Sequence, residues 1–195
     1  MQDRIIRRMP GTDPVFGGER PLRCAFTGHR PHKLFFPGVQ SDMNELRARL
    51  REMIRMLIWE GYSHFISGGA QGVDLMAAEL VLELRAQYPW IGLELAVPYE
   101  GQSARWGWQD QARYEAVMAQ ADIVTYVRHS YSREALFERN RYMVDQADLL
   151  VAAFNGRPGG TAMTIDYARR RGVPVTCVEA SQRAELHRPA MAFSA

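Results

Sequence analysis

His64-Phe65-Ile66-Ser67-Gly68-Gly69-Ala70-Gln71-Gly72-Val73-Asp74-Leu75-Met76-Ala77-Ala78-Glu79 is the stretch that decides the fold. A short apolar, strand-like run enters a turn with three glycines. Val73 then opens a helical pattern that continues to about Gln87. Strand, glycine turn and helix in that order form the first half of a βαβ unit, whose second strand must lie parallel to the first. The sequence Gly92-Leu93-Glu94-Leu95-Ala96-Val97 supplies that second strand.

The same alternation extends both ways. Upstream, Leu22 to Thr27 reads as a strand, and a helix opens near Ser41 carrying Leu46, Leu50, Ile54, Leu57 and Ile58 before Gly61 ends it. Downstream, Pro98 breaks the strand into a polar loop, and a helix follows over about 109–120. Then come a strand over 122–127, a helix over 133–146, a strand over 149–154, a helix over 161–171 and a strand over 173–178. This pattern predicts an α/β protein with a mostly parallel sheet of six strands, or seven, covered by helices on both faces. One domain spans 21–179. Residues 1–20 read as an extended tail, and 180–195 as a loose C-terminal one.

Composition excludes several classes. The 195 residues are 47% hydrophobic and 24% charged, which suits a folded domain with a core of its own. The net charge of +2 is too even to advertise a nucleic acid or an anionic membrane. Of the 24 basic residues only Lys33 is a lysine, so there is no GxxxxGK[ST] phosphate loop, and Schiff-base chemistry would have a single unsupported candidate. Cys24 and Cys177 sit in apolar runs and are expected to pack as small hydrophobes. No run is long enough to span a membrane and no secretory segment is evident, so the expected location is the cytoplasm. His29 and His32 have ligand-like spacing but no third partner, so no metal is expected.

Three strands end in glycine-bearing loops that lead towards helices: Thr27-Gly28-His29-Arg30-Pro31, Ser67 to Asp74, and Asn155-Gly156-Arg157-Pro158-Gly159-Gly160-Thr161. Glycines let backbone N–H groups approach an anion, and a following helix supplies unpaired donors and the positive end of its dipole. A parallel sheet brings such loops to one edge, where ligands bind. The pattern is not GxGxxG after the first strand with an acid ending the second, so a hydride-transferring NAD enzyme is disfavoured. There is no GxSxG nucleophile elbow. Asp74, in the first turn of its helix, is a candidate contact for a ribose hydroxyl, and Arg30 for a phosphate. Pro98, Tyr99, Trp106 and Trp108 lie on the loop after the third strand, where the aromatic rings could form a stacking wall for a base.

The order TGHRPHKL, FISGGAQGVDLMAAE, AVPYEGQSARW, YSREALFERNRYMVDQAD and NGRPGGTAMTIDYA, spread over residues 22–178, resembles the YpsA-like family of the SLOG superfamily. The resemblance implies a Rossmann-like fold that binds a nucleotide or nucleotide-derived ligand at its strand ends. On that reading the ligand is a nucleotide or an ADP-ribose-like molecule, with binding or sensing as the function and no further cofactor required. Ser67, Gly68, Gly69, Ala70, Gly72, Gly159, Gly160 and the Thr161 hydroxyl would hold it, with Gly28, His29, Arg30, Asn140 and Asp74 adding contacts. Two relatives in the superfamily imply other functions. The LOG phosphoribohydrolases, which cleave base from ribose 5′-monophosphate, share two glycines of their PGGxGTxxE motif with Pro158 to Asp166. Their catalytic arginine and acid would fall on Arg139 and Asp166, although their GT pair is Ala162-Met163 here. DprA resembles the chain in the Ser67 to Asp74 loop and implies single-stranded DNA as a partner, with Arg133, Arg139, Arg141 and Arg157 as the basic group. Related folds pair through helices, so a homodimer is expected.

Overall fold

A computed structural model describes residues 6–8, 20–30 and 40–179. Each strand expected from an apolar run forms, and each alternates with a helix: β1 (Ile6–Arg8), β2 (Leu22–Gly28), α1 (Gln40–Trp59), β3 (Tyr62–Ser67), α2 (Val73–Arg85), β4 (Gly92–Val97), α3 (Trp108–Met118), β5 (Ile123–Tyr126), α4 (Arg133–Gln146), β6 (Leu149–Phe154), α5 (Gly160–Arg171) and β7 (Val175–Glu179). The strands make one seven-stranded sheet in the order β1-β5-β4-β3-β2-β6-β7. Every neighbouring pair is parallel. The seventh strand is Ile6–Arg8, three residues that the sequence placed in the tail and that pair with β5. The remaining expectations for the tails, and those for His32 and Lys33, lie outside the described residues.

Side chains alternate across the strands and so make two cores. On one face Cys24, Phe26, Phe65, Leu93 and Leu95 pack under α1, α2 and α3. On the other, Ala25, Ile66, Ala96, Leu150 and Ala152 pack under α4 and α5. Both faces of the central strands are buried, which is why these strands read as continuous apolar runs. Cys24 packs as expected. Cys177 does not: it is exposed on the edge strand β7, where no further strand or helix covers it among the described residues.

The chain steps from β2 through β3 and β4 to β5 in one direction, then returns past its start to place β6 beside β2. Right-handed crossovers therefore put α1, α2 and α3 on one face and the later helices on the other. Between β2 and β6 the strand order reverses. The helices that follow these two strands, α1 and α5, lie on opposite faces and leave a crevice beyond the strands' carboxyl ends.

Candidate functional site

Two cavities open beyond the carboxyl ends of the strands, with volumes of about 490 Å³ and about 650 Å³. They share Arg30, Ala70, Gln71, Leu136 and Arg139, so they are two lobes of one cleft.

The first lobe lies at the reversal point. Gly28, His29 and Arg30 reach it from β2, and Ala70 and Asp74 from the β3–α2 turn. Arg139 and Asn140 come from α4, and Gly159, Gly160 and Thr161 from the start of α5. The N-terminus of α5 has no capping side chain and no acid in its first turn, so its unpaired N–H groups keep their positive field. Asn140 donates from Nδ2 to the Thr164 hydroxyl (2.9 Å), which donates in turn to the Gly160 carbonyl (2.8 Å), fixing α4 against that turn. The Thr161 hydroxyl is 3.4 Å from His29 Nδ1, and both side chains are buried.

At the floor lies a buried ion pair. Arg139 Nη1 donates to Asp74 Oδ2 across 3.3 Å, and each residue is only 6% exposed. Burial pushes the Asp74 carboxyl up to about 6, against the pull of Arg139, a backbone hydrogen bond from Ala70 and the more distant Arg30. Burial likewise lowers the Arg139 pKa, as does Arg30, while Asp74 raises it. The guanidinium Nε is buried with no hydrogen-bond partner among the described residues. A buried, charge-bearing N–H in this state costs free energy until an acceptor reaches it.

The Ser67–Asp74 turn works differently from the expectation. The Gly69 N–H donates to Ser67 Oγ (3.1 Å), and Ser67 Oγ donates to the Asp74 carbonyl (2.7 Å). Gln102 donates from Nε2 to the carbonyls of Gly68 and Gly69 (3.3 and 3.5 Å). Gly69 has φ +58°, so it shapes the turn, and its amide is spent within the turn. Ser67, Gly68 and Gly69 therefore form a brace behind the cleft wall, Gly72 lines neither cavity, and only Ala70, Gln71 and Asp74 of this turn face them. Pro98 is buried and its carbonyl accepts from the Arg128 N–H (3.1 Å), so it too is part of the frame.

The second lobe is lined by Tyr99 and Trp106, as expected, but Trp108 is 77% exposed and stands away from it. Tyr131 joins the lobe from the segment between β5 and α4. Sequence reading did not single it out, because no local pattern tells a ring on this turn from any other exposed tyrosine; the next residue, Ser132, caps α4 by accepting from the Ala135 N–H. The two residues matched to a hydrolase motif are not brought together. Arg139 is on the cleft floor, whereas Asp166 is exposed in the adjoining groove between α4 and α5, 4.0 Å from Arg169, and does not line the lobe that holds Arg139. Among the described residues no group of three or more His, Cys, Asp or Glu side chains is placed to hold a metal, and no helix is long and apolar enough to cross a membrane.

Fold and cleft together define a Rossmann-like α/β protein whose candidate site lies at the point where strand order reverses. The chain belongs to the YpsA family of SLOG proteins: the family model, described as the YspA SLOG family, matches residues 24–180. A UPF0398 protein of Bacillus pumilus (strain SAFR-032) is 31% identical over 140 residues, covering 70% of this chain and 75% of that one. A UPF0398 protein of Bacillus thuringiensis (strain Al Hakam) is 27% identical over 152 residues, covering 76% and 83%. In fold the chain is similar to DNA processing protein A of Helicobacter pylori (TM-score 0.59, 18% identity, 85% of this chain and 67% of that one). It is also similar to DprA of Streptococcus pneumoniae (TM-score 0.61, 13% identity, 84% and 52%).

Proposed function

We propose that the cleft binds, and through binding senses, a nucleotide or an ADP-ribose-like molecule, with a phosphate of the ligand over Arg139 at the start of α5. The observation that carries this reading is the buried Arg139 Nε, without a partner among the described residues, on the floor of a lobe whose rim is an uncapped helix N-terminus. Arg30 stands over the same lobe as an exposed cation. A phosphate brings several acceptor oxygens and negative charge, which answers all three features at once. Asp74 offsets one positive charge and keeps the guanidinium in place.

Gly160→Asp tests it. A Cβ at Gly160 would meet no atom within 4 Å, and its φ is not positive, so the substitution is tolerated by the fold. A carboxylate in the first turn of α5 also suits the helix dipole. The same carboxylate would stand where the phosphate belongs and repel it. Wild-type protein should be stabilised in thermal-shift assays by a member of a panel of AMP, ADP, NAD and ADP-ribose, by about 2.7 kcal/mol at 100 times its dissociation constant. The variant should melt at or above the unliganded wild-type temperature and show no such shift. An undiminished shift in Gly160→Asp would remove the phosphate from α5.

A second reading, single-stranded DNA, has one specific observation in its favour. The α4–α5 groove is continuous with the first lobe through Phe137, Asn140 and Met163, and it carries Arg141, Arg170 and Tyr167. The similar Helicobacter pylori protein binds single-stranded DNA. On this reading, Arg141→Ala with Arg170→Ala weakens a labelled oligonucleotide and lowers the salt dependence of its binding, and leaves ADP-ribose unaffected.

A further inference from the structure

We infer that the second lobe is the base site of the cleft, so that the ligand is a nucleoside phosphate lying across Arg139, phosphate at α5 and planar ring among Tyr99, Trp106 and Tyr131. The inference rests on the reading of the first lobe as an anion site, and adds to it where the other end of the ligand goes. Three observations support it. The lobes share Arg139, Arg30, Ala70, Gln71 and Leu136, so one ligand can occupy both. The second lobe, at about 650 Å³, has room for a nucleoside. Its aromatic rings come from two separate segments, and while Trp106 rests on the core, Tyr99 and Tyr131 pack on each other and belong to neither core. Tyr99, after β4, and Tyr131, before α4, touch edge to face with centroids 5.2 Å apart, and Tyr131 is 63% exposed.

The rings are held for that task. Trp106 stands edge-on to the buried Tyr114 at 5.3 Å, which fixes its plane. Gln102, in the loop after β4, donates to the glycine carbonyls of the β3–α2 turn, and Gln71 of that turn donates from Nε2 to Asp110 Oδ2 of α3 (2.7 Å), so the turn is tied both to the loop after β4 and to α3. Exposed aromatic faces in a rigid wall stack on any base, because every base has a π-face. The polar side chains beside these rings are Arg30, Gln71, Gln102 and Arg105. The wall therefore favours nucleoside phosphates as a class over sugar phosphates.

Isothermal titration with ribose 5-phosphate and with AMP, GMP, CMP and UMP separates the two lobes. At least one nucleoside monophosphate should bind the wild-type protein more tightly than ribose 5-phosphate does. Tyr131→Ala should weaken that nucleotide about 5- to 150-fold, the usual range for losing one base–aromatic stack, while ribose 5-phosphate is unchanged. Trp108→Ala, an exposed tryptophan outside the lobe, should alter neither. If ribose 5-phosphate binds as tightly as all four nucleotides, or if Tyr131→Ala leaves the nucleotide unaltered, the base site is overturned and the anion site stands. If neither ribose 5-phosphate nor any nucleotide binds, both readings fall. Tight binding of an oligonucleotide alone would overturn the small-ligand form of the inference.

Discussion

Three glycines of the cleft loops share a residue type and differ in what requires it. A Cβ on Gly28 would fall 2.4 Å from Val73 Cβ, an atom fixed to the backbone of α2. A Cβ on Gly68 would fall 1.6 Å from Arg139 Nη1 and 2.5 Å from Asp74 Oδ2, because the ion pair lies directly against the turn. At Gly160 there is open space. Urea titration should accordingly find Gly28→Ala and Gly68→Ala destabilised by about 1–3 kcal/mol, the usual cost of overpacking, with Gly160→Ala unharmed. Asp74 adds a pH signature. Its folded pKa of about 6 lies above the ordinary value near 3.9, so the folded state holds that proton more firmly than the unfolded chain does. The stabilising contribution is fully present below about pH 4 and is lost as pH rises through about 6. The stability of wild type minus that of Asp74→Asn should fall between those limits and level off above them. A difference that rises over that span would contradict the raised pKa.

Helix α4 joins the cleft to the core. Arg139 and Tyr142 are three residues apart on one face of it, so the turn that delivers the guanidinium to the strand ends also presses Tyr142 onto the sheet. There the Tyr142 hydroxyl donates to Glu94 Oε1 (2.6 Å), Thr125 Oγ1 donates to the same oxygen (2.7 Å), and His64 Nε2 lies 2.8 Å from Oε2. Glu94 is fully buried on β4. Burial alone would raise its pKa, but the bonds from His64, Tyr142 and Thr125 outweigh it and hold the carboxyl at about 2. A folded pKa below the unfolded value near 4.3 means stability that is present above that value and lost as pH falls towards 2. Glu94→Gln should flatten the acid limb of the stability curve between those values, as followed by denaturant unfolding. Tyr142→Phe should cost about 1–3 kcal/mol, because it leaves a buried acceptor short of a donor.

At the scale of the whole molecule, the sheet has its cleft between β2 and β6 and its most tenuous strand at one edge. Among the described residues just three, Ile6, Arg7 and Arg8, pair with β5 on the side away from β4, yet they cover an edge that would otherwise present unpaired backbone groups. Deleting residues 1–8 should lower the melting temperature and leave the fold and the phosphate affinity in place, as read by thermal shift with and without ligand. Loss of ligand binding together with the strand would show that the edge and the cleft form one cooperative unit.

The sequence by itself determined the alternation of strand and helix, because fully buried parallel strands must be continuously apolar and their crossovers helical. Leu149–Phe154, Gly92–Val97 and Arg133–Gln146 form with the bounds that sequence alone predicts. It also determined which loops reach the ligand-binding edge, since every strand points the same way. Strand order lay beyond it, because no local pattern records that β6 returns to the side of β2, and so did the β1 pairing of a three-residue segment with no apolar period. The allocation of roles within the loops was equally hidden. Glycine spacing looks the same whether a glycine lines the cleft, as Gly160 does, or has its amide bound to a hydroxyl of its own turn, as Gly69 does. Only the tertiary structure places Arg139 against Asp74 and leaves Asp166 in the adjoining groove, and only it brings Tyr131 to Tyr99, since these contacts join residues far apart in sequence and depend on how α4 packs across the sheet.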